Sequence, residues 1–299
     1  MKLIAICGPT ASGKTSLAVA CAKAFGGEVV SCDALLVYKG LNIGTAKPTK
    51  EEMDGAPHHL IDIVEPTQSF SVHDFECAAL PVVEDILARG KVPVLCGGTG
   101  FYMNAILFRS GFGHAGGDAA IREKYEHIAA ERGREYLHTL LRECDPESAE
   151  KLHPNDVKRV IRALEIYELT GCKKSSQNDS CVPRYPYEAF AVNWERQALY
   201  ARIHERTQAM LRAGLVEEVK GLLASGVPEN AQCMQAIGYK EVVEILKNDD
   251  LHSTMSDIIE QNTRRYAKRQ LTFFKKLPNL HWLEPDKTET MRKEIERYL

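Results

Sequence analysis

Nothing in this 299-residue sequence resembles a membrane span: no apolar run approaches the roughly 20 residues that a crossing helix needs. Leu3–Cys7 is apolar, but it is too short, and too soon broken by Gly8-Pro9, to be a signal peptide. Paired cysteines are missing as well. The nine cysteines (Cys7, Cys21, Cys32, Cys77, Cys96, Cys144, Cys172, Cys181 and Cys233) are odd in number and scattered, with no C-x-x-C among them. That pattern suggests neither a zinc site nor a disulfide framework, and the expected compartment is a reducing cytosol. Several of the cysteines sit inside apolar runs, where the residue behaves as a small hydrophobe. A dominant charge is also lacking. The formal net charge of −3 gives no bulk signal for nucleic acid, although the placement of basic residues matters more than their sum. There is no internal repeat, and a monomer is the default. What remains, 44% hydrophobic and 26% charged residues, is ordinary for one large domain or a core with a smaller module.

Against this plain background one motif stands out. Gly8-Pro9-Thr10-Ala11-Ser12-Gly13-Lys14-Thr15 is a complete G-x-x-x-x-G-K-[ST] loop. The run before it, Leu3–Cys7, has the character of a buried parallel strand, and Ser16–Ala24 after it is rich in helix formers. Strand, glycine loop and helix are the context in which this motif carries chemistry. Its backbone N–H groups turn inward and the helix N-terminus adds its positive dipole end. Lys14 supplies a point charge, and Thr15 a hydroxyl for Mg²⁺. A glycine turn that merely joins strand to helix is the lesser alternative when all four fixed positions and both flanks are present. The loop predicts a bound di- or triphosphate without saying which.

Further along, Glu28–Asp33 reads as a second strand ending in a carboxylate, and Leu60–Val64 as a third. Val72–Arg89 has the period of an amphipathic helix, Val92–Cys96 is another buried strand, and Gly97-Gly98-Thr99-Gly100 follows it. Ala189–Trp194 and His281–Leu283 are later strand candidates. Strands alternating with helices predict the α/β class, here a P-loop NTPase-like parallel sheet core, with ligands beyond the C-terminal strand ends. A glycine-rich break at 110–117 opens a stretch that reads as wholly helical to about residue 171, and 173–186 is polar and weakly patterned. The expected organisation is a core of residues 1–113 and 186–299 with a helical insertion domain at 114–185.

These motifs together resemble the tRNA dimethylallyltransferase (isopentenyl-tRNA transferase) family, in its bacterial type. The resemblance rests on the loop and on Ser31-Cys32-Asp33, Val37–Gly40, Asn42–Pro48, Pro57–Asp62 and Gly97–Tyr102. It continues through His153–Asp156, Arg162–Glu165, Gln235–Lys240 and Tyr266–Gln270, in family order over nearly the whole chain. The short charged C-terminus lacks the Cys/His zinc-finger extension of eukaryotic relatives. The resemblance implies that Gly8–Thr15 cradles the diphosphate of dimethylallyl diphosphate. The acceptor is N6 of adenosine 37 in tRNAs that read codons beginning with U, and Mg²⁺ is the cofactor. It also implies that Asp33 is the general base and that Thr99 lies near the bridging oxygen of the leaving group. Read without the family, a Mg²⁺ or ribose contact is the lesser alternative for Asp33, and Thr99 reads as a capping hydroxyl in a glycine turn. Two departures sit beside Asp33: Ala34 stands where many members have Ser, and Leu35-Leu36-Val37 replaces the commoner Met-Gln-Val.

The same resemblance assigns contacts with the tRNA anticodon stem-loop to Asp33, Ala34, Leu35, Leu36, Arg122, Lys158, Arg159, Val160, Ile161 and Arg162. Gln235, Ala236, Ile237, Gly238, Tyr239, Lys240, Lys268 and Arg269 complete that set. Two basic clusters agree with it. Lys158, Arg159 and Arg162 share much of one helical face, and Arg264–Lys276 carries six positive charges with no acid among them. A charge run is usually a solvated face. Tyr266 and Phe273 recur at a spacing more typical of a core seam than of a stacking platform. Three rivals remain: a nucleotide or small-molecule kinase, an adenylate isopentenyltransferase acting on free AMP or ATP, and a non-catalytic RNA-binding module.

Overall fold

The computed structural model describes residues 2–109, 117–176, 182–247 and 254–299. The glycine-rich break expected at 110–117 and the polar stretch at 173–186 therefore lie partly outside the described residues. Two compact units emerge, Met1–Leu107 with Pro183–Leu299, and Phe108–Val182. Both divisions fall a few residues before the boundaries expected from the sequence.

The first unit is built on a six-stranded, wholly parallel sheet: β1 (Leu3–Cys7), β2 (Gly27–Ser31), β3 (His58–His59), β4 (Val92–Gly97), β5 (Tyr187–Val192) and β6 (Leu280–Leu283), in the order β3-β2-β4-β1-β5-β6. Helices α1 (Lys14–Ala24), α2 (Lys50–Met53), α3 (Val72–Ala88) and α4 (Gly100–Leu107) belong to its first half. The second half of the unit follows Phe108–Val182 in sequence. That unit holds α5 (Ala119–Arg132), α6 (Arg134–Cys144), α7 (Pro146–Lys151) and α8 (Val157–Thr170). The first unit then continues with α9 (Arg196–Arg212), α10 (Leu215–Ala224), α11 (Tyr239–Lys247), α12 (Met255–Phe274) and α13 (Thr288–Glu296).

β1 is buried at every position, so all five residues are apolar, and it pairs with β4 on one side and β5 on the other. The chain passes from β1 to β2, returns to β4 between them, and then crosses to β5. The strand order thus reverses around β1, and the loops after β1, β2 and β4 meet at one edge of the sheet, the place where such sheets bind ligands. α3 begins with a reciprocal cap: Ser71 Oγ accepts from Asp74 N–H, and Asp74 accepts from Ser71 N–H at 2.8 Å.

One strand expectation is corrected. Leu60–Val64 is not extended, because Leu60 (φ 63°) and Asp62 (φ 56°) turn the backbone left-handed. The pairing retreats to His58–His59 on β2, and Val64 makes only an isolated bridge to Tyr38. The second unit packs its helices around Leu137, Leu141, Ala149, Val160, Ile161, Ala163 and Leu164.

At the opposite edge from the ligand loops, buried Glu28 at the start of β2 receives Arg89 through two bonds (2.5 and 2.9 Å), Lys91 (2.7 Å) and His59 (2.7 Å). The Arg89 guanidinium, with Lys91 and His59, outweighs burial and holds this carboxyl well below the ordinary carboxylate range. A depressed folded-state value contributes stability that is fully present above the ordinary carboxylate range and is lost as pH falls toward the folded value. Urea unfolding at pH 7 and pH 3 should therefore show a lower midpoint in acid. In Glu28→Gln the midpoint should be lower at pH 7 and the acid decrement smaller.

Candidate functional site

The loop between β1 and α1 folds as its glycines require. Gly13 enters α1 at φ +86°, a conformation that side chains with a Cβ rarely adopt. Several carbonyls of the loop are satisfied from outside. Ala11 O accepts from Arg202 Nε at 2.7 Å and Ser12 O from Trp194 Nε1 at 3.0 Å, with the Arg202 guanidinium 4.5 Å over the Trp194 ring. Pro9 O accepts from Lys14 Nζ at 2.6 Å, and Thr10 N–H donates to Gln270 Oε1 at 2.9 Å.

Next to this loop lies a cavity of about 380 Å³. Its walls are Thr10, Lys14 and Thr15 from the loop, Asp33–Leu36 after β2, and Gly97–Thr99 at the end of β4. Arg206 of α9, Gln235–Ile237 and Lys240, and Tyr266, Arg269 and Gln270 of α12 complete them. Ala11, Ser12 and Gly13 line an adjoining hollow with Arg202 and Arg206, whereas Gly8 and Pro9 line neither. Asp33, Thr99 and Lys14, far apart in sequence, are thus brought to one cavity.

The electrostatics are unbalanced toward positive charge. Burial pushes the Lys14 ammonium and the Arg206 guanidinium below their ordinary values, and Asp33 opposes the shift at both. Arg206 Nη2 also donates to Thr45 O at 3.0 Å. Leu35 N–H donates to Asp33 Oδ1 at 2.9 Å, fixing the carboxylate, and Ala34 N–H donates to Thr99 Oγ1 at 3.0 Å. The Tyr266 phenol is pushed up to about 12 by burial and by Asp33, so it stays protonated at neutral pH. Burial likewise raises the thiols of Cys7 to about 12 and of Cys96 to about 11, which keeps both neutral. Among the described residues, no group of three or more His, Cys, Asp or Glu side chains is arranged to hold a metal.

Several residues expected to meet RNA are placed otherwise. Val160 and Ile161 are buried in the helical unit's core, because adjacent residues on a helix point to different faces. Tyr239 is fully buried, and its hydroxyl donates to Glu218 at 2.6 Å. Those three side chains are corrected from contact to core. Arg122 (Nε–Oε1 2.8 Å) and Arg162 both pair with the fully buried Glu165, which also accepts from Asp118 N–H at 2.7 Å. Lys158 and Arg159 are exposed on α8, as are Lys268 and Arg269 on α12. The core seam expected at Tyr266 and Phe273 is also revised, since Tyr266 lines the cavity and Phe273 packs edge-on against the exposed Phe101. Arg206 and Gln270 were not found from sequence. Each carries a polar group on the apolar stripe of its helix: Leu199, Ile203 and Met210 flank Arg206, and Ala267 and Phe274 flank Gln270.

The profile described as IPP transferase matches residues 36–277, and that of isopentenyl transferase matches residues 1–64. A tRNA dimethylallyltransferase of Thermoanaerobacter sp. (strain X514) is 46% identical, with 100% of this chain and 98% of the relative aligned. The chain belongs to the tRNA dimethylallyltransferase family. Another relative of that name, from Oceanobacillus iheyensis, is 45% identical over 95% of this chain and 91% of its own. Among solved structures, the tRNA isopentenylpyrophosphate transferase of Bacillus halodurans is 42% identical with a TM-score of 0.74, covering 99% of this chain and 95% of that one. A eukaryotic dimethylallyltransferase acting on tRNA is 28% identical with a TM-score of 0.83, over 99% and 77%. As in this family of prenyltransferases, the fold is a parallel α/β sheet. Among the described residues, no helix is long and apolar enough to cross a membrane.

With two enclosed cations, the cavity should take an anion. Isothermal titration calorimetry with inorganic pyrophosphate is expected to show at least tenfold weaker binding to Arg206→Gln than to the parent protein. Lys158→Ala, in the other unit, should bind it unchanged.

Proposed function

We propose that this chain transfers the dimethylallyl group of dimethylallyl diphosphate to N6 of adenosine 37 in tRNAs that read codons beginning with U. The products are N6-isopentenyladenosine and pyrophosphate. The observation that carries this reading is the convergence of Lys14, Arg206, Asp33 and Thr99 on one cavity bordered by Arg269 and Lys240. The carbon–oxygen bond of the allylic diphosphate breaks as a bond from N6 to that carbon forms, so negative charge builds on the departing oxygens. Lys14 and Arg206, on the cavity wall, offset it. Thr99 donates its proton toward the bridging oxygen, its own oxygen being held by Ala34 N–H. The amine of adenine is a poor nucleophile, because its lone pair is delocalised into the ring. Asp33, held by Leu35 N–H, aligns the amine and accepts its proton.

Mg²⁺ fits this donor set. It takes hard oxygen ligands and is commonly bound through one or two protein groups together with substrate phosphates. Thr15, at the cavity wall, is the residue that would hold it, and the ion would supply further positive charge to the diphosphate. For the tRNA anticodon stem-loop, Lys268, Arg269, Gln235–Gly238 and Lys240 are the contacts this reading favours within the first unit. Lys158 and Arg159 are its candidates in the second. The free cysteines among the described residues suit a reducing cytosol.

Labelled dimethylallyl diphosphate, offered with Mg²⁺ to unmodified tRNA and to AMP in parallel, should label the tRNA alone, and replacing adenosine 37 should abolish the signal. Label in AMP identifies an adenylate isopentenyltransferase instead, and phosphate released from ATP without prenyl transfer identifies a kinase. Asp33→Asn should lower kcat by about 100-fold or more while pyrophosphate affinity changes only a few-fold. Equal losses in both make Asp33 a binding or metal residue. Replacing Lys268 and Arg269 together by Ala should weaken tRNA binding and flatten its dependence on log salt by roughly 1.4, the contribution of two phosphate contacts to a single strand. An unaltered slope makes that patch a solvated face.

A further inference from the structure

Gln270 occupies an unusual place: a buried glutamine on the apolar stripe of α12, reaching into the edge of the sheet where the ligand loops meet. Its two amide atoms serve two different loops. Oε1 accepts from Thr10 N–H in the phosphate loop at 2.9 Å, and Nε2 donates to Gly98 O at the end of β4, also at 2.9 Å. One loop offers a donor and the other an acceptor. The amide supplies both complements through one rigid plane. Reversing the amide would break both bonds, so the network admits one orientation.

A second observation points to the same contact from the opposite side. A Cβ placed on Gly98 would lie 2.2 Å from Gln270 Nε2, closer than any real side chain tolerates. Gly98 has to be glycine here because the amide fills that space. The residue after Gly98 is Thr99, whose hydroxyl is held by Ala34 N–H, and Tyr266, one turn earlier on α12, lines the same cavity as Thr99 and Gln270. Gln270 therefore ties the loop that carries Lys14 to the loop that carries Thr99.

We infer that Gln270 is a positioning residue for prenyl transfer, setting the phosphate loop and Thr99 in the register that the departing diphosphate requires. The inference rests on the prenyl-transfer reading above. Gln270 acts through the two loops that its amide joins. Its effect is felt in the transition state, where a displacement of about 1 Å between loops is costly, and less in ground-state affinity.

The test is a double-mutant cycle read by steady-state kinetics, with thermal unfolding recorded for each variant. Gln270→Met keeps the length of the side chain and removes both bonds. It should lower kcat at least tenfold, with KM for tRNA and for dimethylallyl diphosphate each within about threefold of the parent. Gly98→Ala leaves Gln270 intact but displaces its amide, and should reproduce that kcat loss. In a Gln270→Ala background the new methyl has room, so Gly98→Ala should add almost nothing, a non-additivity expected of groups in direct contact. Lower unfolding temperatures with kcat unchanged would make Gln270 purely structural and overturn the inference. So would fully additive losses, or a rise in KM for dimethylallyl diphosphate at constant kcat. If the parent protein alkylates no tRNA, the functional reading fails and this inference with it. Activity in the parent that survives undiminished in both variants overturns the inference alone.

Discussion

Gathering Lys14 and Arg206 at one end of a parallel sheet sets like charges against each other in a place where water screens them poorly. That repulsion is the constraint around which the first unit is arranged. Asp33, on the same cavity wall, relieves it in part. The loop itself cannot relax away from the strain, because Arg202, Trp194 and Gln270 hold its carbonyls and one of its N–H groups from outside. Preorganisation of this kind moves the cost of ordering polar groups from the reaction to the folding of the protein.

Those braces come from the turn after β5, from α9 and from α12, which follow the helical unit in sequence, whereas the loop they hold follows β1. Nothing local to Gly8–Thr15 discloses them. The loop and its flanking strand and helix were legible because their signals are local: a fixed spacing of glycines, an apolar run and a helix-forming run. Gly97-Gly98-Thr99-Gly100 was legible as a strand-end turn for the same reason. The role of Gly98 was not, since it depends on a side chain 172 positions away. Leu60–Val64 misled because apolar alternation carries no information about the left-handed backbone at Leu60 and Asp62. Arg206 and Gln270 left a trace that contact-based reasoning recovers: a polar residue standing where the helical period calls for an apolar one.

The expected RNA contacts show the opposite error. A motif is a contiguous string, but a helix distributes neighbouring residues around its axis, so a string such as Lys158–Arg162 mixes surface with core. Lys158 and Arg159 face outward, Val160 and Ile161 build the interior, and Arg162 turns back to neutralise Glu165. The pair Arg122 and Arg162 is best understood as answering a buried acid. Removing one partner from such an arrangement strands a charge in a place without water. Motif membership therefore marks residues that matter without distinguishing those that hold the unit together from those that meet a ligand.

The contact between Ala34 and Thr99 has a consequence for how this site can change over time. The donor is the main-chain N–H of residue 34, so the bond that steadies the Thr99 hydroxyl is indifferent to the side chain carried there. Alanine in place of the commoner serine removes no donor from Thr99, and any residue other than proline preserves it. Position 34 thus lines the cavity beside Asp33 and Thr99 while its side chain takes no part in the bond that steadies the hydroxyl. A different side chain there reshapes the wall of the cavity and leaves that bond in place.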